Sequence, residues 1–363
     1  MKNILILANN DIGLYKFRKE LIEELVKEYK VFISLPNGEF IPDLIALGCE
    51  YIETPISRRG TNPITDFKLF LKYIKSIKKV KPFVVLTYTI KPNIYGGLAC
   101  TLTKIPYISN ITGLGSSIEN GGFLQKFTLF LYKTAMKKAS CVFFQNKENQ
   151  AFFTGKNIVK VKNMLIPGSG VNTNYYDLMD YPLDDTIHFL FVSRIMKEKG
   201  IDQYLEAAKY IKNKYPNTVF HIVGFCEEEY EDILNELHDQ QIIQFHGLQK
   251  DVKQFYRTAH CTVHPSYYPE GLSNVLLESS SCGRPVITTN RSGCREIVED
   301  GVTGYIVEQK NSDDLIEKLE RFLNLPYNNK AAMGKAARAK VLKEFDRNIV
   351  KTLYIKETTN ITG

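Results

Sequence analysis

The chain has 363 residues, 44% apolar and 24% charged, a balance that suits two globular domains and excludes a disordered polymer. No apolar run approaches the roughly 20 residues that a spanning helix needs, and the run of five apolar residues before Asn9 (4–8) is too short for a signal peptide. Residues 1–180 carry 24 Lys+Arg against 14 Asp+Glu, a net of +10, and the remainder carries 23 against 26, a net of −3. A basic first half suits nucleic acid, an anionic membrane surface or a diphosphate, and equally a solvated lysine-rich surface. The seven cysteines (49, 100, 141, 226, 261, 282, 294) form no CxxC pair, which points to reduced, buried thiols in a cytosolic compartment.

Residues 3–8 (NILILA) read as a buried strand of the parallel-sheet kind, followed by the loop 9–13 and an amphipathic helix from Leu14 to Tyr29. Strand, glycine loop and helix open a Rossmann-like domain, where the loop at Gly13 offers N–H groups to a phosphate; a lone glycine also serves plain packing. Strands follow at 31–36 and 51–56. Next come the basic loop 57–63, with Arg58 and Arg59, and a lysine-studded helix from Thr65 to Lys79. A strand at 83–89 leads through Lys91, Pro92 and Asn93 to a helix entered at Gly96-Gly97. IPYISNITGLGS (105–116) is a strand running into a glycine loop, and it carries Asn110 and Thr112. Residues 121–139 form a helix with Phe123, Phe127 and Phe130 among lysines. That composition fits a helix lying on an anionic bilayer, or a core helix with a basic solvent edge. CVFFQN (141–146) reads as the last strand of a first domain spanning 1–165, with 166–180 as linker.

A second alternating pattern then runs over 181–345. Strands at 188–194, 218–224, 242–247, 261–266, 285–289 and 305–307 are interleaved with helices at 201–214, 227–238 and 252–259. Such alternation argues βαβ units in a parallel sheet, hence an α/β chain with two Rossmann-like domains. The tail from 331 to 356 is helical.

Two stretches carry the chemistry. In HPSYYPEGLSNVLLESSSCGRP (264–285), Glu270 and Glu278 stand eight positions apart, a little over two helical turns. Glu270 is expected in the loop and Glu278 on a helix starting near Ser273, whose N–H groups and dipole face any anion placed there. In Ser193-Arg194-Ile195-Met196-Lys197-Glu198-Lys199-Gly200, an arginine at a strand's carboxyl end and a lysine five residues on form a compact cationic pair.

The string Pro269-Glu270-Gly271, Glu278, Gly283-Arg284-Pro285, Gly293, Glu296 and Asp300-Gly301 resembles the donor-binding signature of retaining glycosyltransferases of family 4. That family carries a Glu-x7-Glu motif on a GT-B fold of two Rossmann-like domains facing across a cleft. The local run TYTIKPN…SNITGLGS is more narrowly similar to enzymes that extend undecaprenyl-diphosphate-linked oligosaccharides. The resemblance implies that Arg194 and Lys199 hold the diphosphate of a nucleotide-sugar donor, a UDP-sugar in the nearest subgroup, and stabilise the charge that develops as it leaves. It implies that Glu270 contacts the donor sugar, beside the N–H groups of Gly271, Leu272 and Ser273. Glu278 would take the ribose hydroxyls, and Asn274 and Val275 would offer N–H groups to phosphate. The base would rest near Gly224 and Leu248. Arg58, Arg59, Lys91, Asn110 and Thr112 fall on the acceptor side, and Thr112-Gly113 stands where many members have a histidine. The tail 346–363 would return toward the first domain. Front-face attack in this family needs no protein nucleophile, and no Asp-x-Asp motif stands near the site, so transfer without a metal or other cofactor is expected. The expected partners are a lipid-diphosphate-linked saccharide and an anionic membrane surface, not nucleic acid, with the protein peripheral on the cytoplasmic face of a cell membrane. A GT-B sugar-nucleotide epimerase or hydrolase is the runner-up. A dehydrogenase is disfavoured because residues 8–16 hold Gly13 alone instead of GxGxxG.

Overall fold

The computed structural model describes residues 1–57, 62–115, 118 and 121–362. Arg58 and Arg59 lie outside the described residues. The chain forms two compact units: unit 1 is Met1–Gly170, Pro269–Leu272 and Arg347–Gly363, and unit 2 is Val171–Tyr268 and Ser273–Asp346. The boundaries expected from sequence leave Pro269–Leu272 with the second domain, whereas by packing this tetrapeptide belongs to unit 1.

Unit 1 is built on seven strands: β1 (Asn3–Leu7), β2 (Lys30–Leu35), β3 (Glu50–Glu53), β4 (Val84–Tyr88), β5 (Tyr107–Ile111), β6 (Cys141–Phe144) and β7 (Asn163–Leu165). They pair in the order β3-β2-β1-β4-β5-β6-β7, and every pairing is parallel. β4, β5 and β6 are buried along their whole length, as helices on both faces require. The strand 141–146 is therefore not the last of its domain. β7 follows it through Val142↔Asn163, and three residues carry too little pattern to be seen beforehand. A helix also intervenes unannounced at Lys147–Gly155, capped by Asn146.

The helix expected at Leu14 starts at Asp11, because the Asn10 side chain accepts the Gly13 N–H at 2.6 Å and caps it. Asn62 and Pro63 likewise start the helix Pro63–Val80. The helix Gly122–Met136 buries Thr128, Tyr132, Ala135 and Met136, and leaves Phe123 (84%), Phe127 and Phe130 exposed with Lys126, Lys133 and Lys137. Its phenylalanines thus lie outside the core. The C-terminal tail is two helices, Tyr327–Glu344 in unit 2 and Arg347–Thr362 in unit 1. In unit 1, Arg347 pairs with Glu20 at 2.8 Å and donates to the Gly170 carbonyl.

Unit 2 has six parallel strands: β8 (Ile187–Val192), β9 (Thr218–Val223), β10 (Gln244–Phe245), β11 (Cys261–His264), β12 (Val286–Thr289) and β13 (Gly304–Val307). Their order is β10-β9-β8-β11-β12-β13. An amphipathic helix missed from sequence, Ser312–Leu323, covers one face with Leu315, Leu319 and Phe322. The helix expected from Glu227 begins at Glu231, because Phe225 to Glu227 pair with Ile195 instead. All seven cysteines are free thiols, and all but Cys226 are buried.

Four of the six histidines form a row through unit 2. His188 Nδ1 lies 2.8 Å from His221 Nε2, and His221 Nδ1 lies 3.0 Å from His246 Nε2. The His188 backbone N–H donates to His260 Nδ1 at 3.1 Å. Each nitrogen–nitrogen link needs one lone pair and one N–H, so the row is stable with neutral imidazoles. Burial, reinforced by the neighbouring imidazoles, pushes His221 down to about 3 and His260 to about 4 from an ordinary 6.5. His188 and His246 are lowered by burial too, with Asp184 opposing the shift at His188. Between 6.5 and these lowered values the unfolded chain holds protons that the folded chain does not, so stability is full above about 6.5 and is lost as pH falls. The unfolding midpoint of unit 2, followed by calorimetry from pH 7 to 4.5, is expected to drop across that window. In His221→Phe the drop should be clearly shallower; equal slopes would contradict the assignment.

Candidate active site

In unit 2 the strand order reverses between β8 and β11, and open α/β sheets bind ligands at such a switch point, outside the carboxyl ends of the strands. Arg194 leaves β8 at that point. Its guanidinium pairs with Glu227, and the Tyr268 ring centre lies 5.1 Å from it and 4.6 Å from the Lys199 ammonium. Lys199 ends a short 3₁₀ turn, Lys197–Lys199, and is 7% exposed. Burial first, and the Arg194 charge second, push its pKa from 10.5 down to about 7. Backbone bonds hold this corner: Ile195 N–H donates to Phe225 O at 2.9 Å, Glu227 N–H to Ile195 O at 3.0 Å, and Tyr267 N–H to Glu198 O at 2.9 Å. At Gly224 (φ +153°) a Cβ would sit 1.7 Å from the Ser193 carbonyl, so only glycine lets β9 turn this close to the Arg194 strand. The Gly224 N–H reaches the Gly247 carbonyl at 2.9 Å, joining the two loops expected to hold the base; Leu248 beside them is 71% exposed.

Glu278 sits on the helix Asn274–Ser281, as the spacing predicts. Its Oε2 accepts the Tyr256 hydroxyl at 3.2 Å. Tyr256 is wholly buried, and its carbonyl accepts Arg284 Nε at 2.6 Å. Arg284, buried completely, also donates to the carbonyls of Met179, Asp180 and Arg257, which ties the linker to this helix pair. Ser273 is the N-cap residue yet makes no side-chain cap, so Asn274 and Val275 begin the helix with N–H groups that no cap side chain occupies. The Ser273 N–H itself donates to Gly293 O at 2.8 Å, which removes it as a donor for a ligand.

Glu270 lies in unit 1. Asn146 Nδ2 donates to the carbonyls of Glu270 (3.2 Å) and Gly271 (2.6 Å). A Cβ at Gly271 would meet Gln145 Oε1 at 2.3 Å and Thr112 O at 2.5 Å, so the peptide is pressed against β6 and the loop after β5. Leu272 is buried against Gly168.

Several expected residues have other work. The Gly13 N–H is taken by its Asn10 cap, so it does not stand free for phosphate. Asn110 is wholly buried, accepting from Gln145 and donating to Tyr354 at 2.7 Å, so both ends of its amide are used inside the fold. Lys91 is ion-paired to Asp66 at 2.6 Å, with both side chains largely buried. Thr112 presents its carbonyl to Gly271. Sequence reasoning missed Glu227, Tyr256, Tyr268 and Asn146. Of these, Tyr268 and Asn146 gave a signal: one lies two residues before Glu270, and the other is a polar residue closing an apolar strand.

The family model described as "Glycosyl transferases group 1" matches residues 181–340, and that described as "Glycosyl transferase 4-like" matches residues 3–146. The chain is 26% identical over 369 residues to the N,N'-diacetylbacillosaminyl-diphospho-undecaprenol alpha-1,3-N-acetylgalactosaminyltransferase of Campylobacter jejuni, covering 96% of each protein. It is 27% identical over 366 residues to the UDP-Gal:alpha-D-GlcNAc-diphosphoundecaprenol alpha-1,3-galactosyltransferase of Escherichia coli, covering 91% of this chain and 92% of the relative. The capsular polysaccharide biosynthesis glycosyltransferase CapM of Staphylococcus aureus is 27% identical over 310 residues, covering 81% and 80%. Among solved structures, Anabaena HepE in complex with UDP-glucose superposes with a TM-score of 0.80 at 20% identity, over 99% of this chain and 100% of that one. Sucrose-phosphate synthase of Thermosynechococcus elongatus gives 0.80 at 19%, over 100% and 99%. The epimerase or hydrolase reading finds no support among these relatives. With one family model in each half and relatives matched along nearly their whole length, the chain belongs to the family-4 glycosyltransferases of GT-B fold.

Proposed function

We propose that this glycosyltransferase moves a hexosyl or N-acetylhexosaminyl group, with retention and without a metal, from a UDP-sugar to a lipid-diphosphate-linked saccharide on an anionic membrane surface. The observation that carries this reading is the Arg194/Lys199 pair at the switch point of the second sheet, with Lys199 buried and both cations beside one tyrosine ring. Two fixed cations, one of them buried, stabilise charge developing on a departing diphosphate without having to reorganise, usually the largest catalytic contribution. They supply positive charge that a metal would otherwise bring. The named activities of the Campylobacter and Escherichia relatives, both acting on diphosphoundecaprenol saccharides, support the acceptor class. In this reading Glu270 grips the donor sugar and Glu278 takes the ribose.

Screening UDP- and GDP-sugars by thermal shift, then transfer onto polyprenyl-diphosphate-linked N-acetylhexosamines, tests the reading. Activity that vanishes in chelator and returns with Mn²⁺ or Mg²⁺ would overturn the metal-free part. Arg194→Ala is expected to lower kcat/KM by about 10²–10³ with the fold unchanged; parental rates would sink the assignment.

The pH dependence follows from Lys199. Below about 7 its ammonium is charged in the free protein; above that value, binding an anion must first take up a proton. Affinity for a UDP-sugar, whose diphosphate does not titrate in this range, should fall about tenfold per pH unit above 7. Lys199→Arg should flatten the dependence, as calorimetry between pH 6 and 8.5 would read.

The membrane part rests on the helix Gly122–Met136, where exposed Phe123, Phe127 and Phe130 alternate with exposed lysines. Ile64, Phe67 and Leu71 stand exposed among Lys68, Lys72 and Lys75 on the helix Pro63–Val80. Apolar bodies edged by lysines match the boundary between headgroups and acyl chains. No helix among the described residues is long and apolar enough to cross a membrane. The protein is expected to float with phosphatidylglycerol-containing vesicles, and to lose that association when Lys126, Lys133 and Lys137 are changed to Glu. Flotation equal in parent and variant would remove the claim.

A further inference from the structure

We propose that Asn146 is a positioning residue for Glu270: through its side-chain amide it fixes the backbone from which the sugar-contacting carboxylate projects. The inference rests on the reading of Glu270 given above. Asn146 follows directly on β6 and Gln145, and it is 2% exposed. Its two amide atoms have separate duties. Oδ1 accepts the Asn149 N–H at 2.8 Å and caps the helix Lys147–Gly155. Nδ2 donates across 124 and 125 residues of sequence to the carbonyls of Glu270 and Gly271, at 3.2 and 2.6 Å.

The first carbonyl belongs to the peptide just after the Glu270 Cα and the second to the next peptide, so the bonds fix the backbone from which the Glu270 side chain leaves. Gly271 is buried, and the close approach of Gln145 Oε1 and Thr112 O leaves the peptide little room on the side where a Cβ would stand. Gly113 closes another side, where a Cβ would meet the Pro269 carbonyl at 2.8 Å. In this crowded setting Asn146 supplies the donor that meets both carbonyls. A displacement on the order of 1 Å at a substrate-positioning group costs about 10²-fold in rate.

The two duties can be separated by one substitution. Asn146→Asp keeps an oxygen that caps the helix as well as asparagine does, yet offers no N–H to the carbonyls. Asn146→Ala removes both. The assay follows transfer of the UDP-hexose or UDP-N-acetylhexosamine that the parent uses fastest, with the affinity for UDP measured by calorimetry and the melting point alongside. In Asn146→Asp, kcat is expected to fall about ten- to hundredfold, and the melting point to fall as well, since a buried carboxylate oxygen then faces two carbonyl oxygens. Affinity for UDP should stay within about twofold, because its proposed contacts Arg194, Lys199 and Glu278 belong to unit 2. Asn146→Ala should lose the same rate and also melt lower. Parental kcat in Asn146→Asp would overturn the inference. So would UDP affinity lost in step with the melting point, which would make Asn146 a purely structural cap. Glu270→Gln separates the two levels: if it turns over like the parent, the role given to Glu270 falls first, whereas a dead Glu270→Gln beside a parental Asn146→Asp removes Asn146 alone.

Discussion

The second unit of this enzyme is organised around a charge arrangement that is unfavourable by itself. An ammonium taken out of water costs several kcal/mol even after the surroundings relax, and a second cation beside it adds repulsion. Lys199 shows the strain as a pKa near 7 where an exposed lysine would stand at 10.5. The fold tolerates the pair because Glu227 neutralises Arg194 and the face of Tyr268 meets both cations. Neither device would hold without the backbone lacing of Ile195 to Phe225 and of Tyr267 to Glu198, which sets the loop positions before any ligand arrives. On the proposed reading, a diphosphate at this corner would meet cations already ordered, and relief of their mutual repulsion would contribute to its binding. The topology explains the place: where β8 and β11 part, their following loops open and leave room between strand ends.

The two acids of the motif, eight residues apart in sequence, are stabilised by different means. Glu278 is carried on a helix and oriented through its side chain by Tyr256, which Arg284 holds in turn through a chain of buried carbonyls. Glu270 is on no regular element, and the bonds that place it fall on its backbone. On the proposed reading, a carboxylate that takes ribose hydroxyls, the same in every UDP-sugar, suits a rigid, side-chain-clamped host. On the same reading, one that contacts the sugar suits a loop whose backbone is fixed. Packing reflects this division, since Glu270 falls in unit 1 and Glu278 in unit 2.

What the sequence disclosed follows the same physics. Strands buried on both faces announce themselves as apolar runs, and Arg194, Lys199, Glu270 and Glu278 stood in a spacing tied to strand ends and helix starts. Short elements with little periodicity stayed hidden: Asn163–Leu165 has three residues, and Lys147–Gly155 is a polar helix whose identity lies in one capping side chain. Backbone hydrogen bonding was hidden as well. That the N–H groups of Gly13 and Ser273 are already occupied depends on Asn10 and Gly293, and no residue pattern reports whether a main-chain donor is free. Long-range clamps such as Asn146 to Glu270 are invisible in principle from one sequence, because nothing local links positions 124 apart. Asn110 misled for a related reason, since a polar residue at a strand's carboxyl end reads as a ligand contact, whereas here both ends of its amide are used inside the fold.

The absence of a histidine at Thr112, where the family pattern often has one, becomes intelligible from the same region. Thr87, Asn93, Ser109, Asn110 and Gln145 form a buried polar network across β4, β5 and β6, with Thr87 Oγ1 to Asn93 Oδ1 at 2.7 Å and Asn93 Nδ2 to Asn110 O at 2.8 Å. Its outer members press on Gly271 by way of Gln145 and the Thr112 carbonyl. A satisfied buried network rigidifies what it touches, and its members polarise one another. In this chain the loop after β5 meets the motif peptide through main chain and small side chains, so position 112 contributes shape to the seat of Glu270.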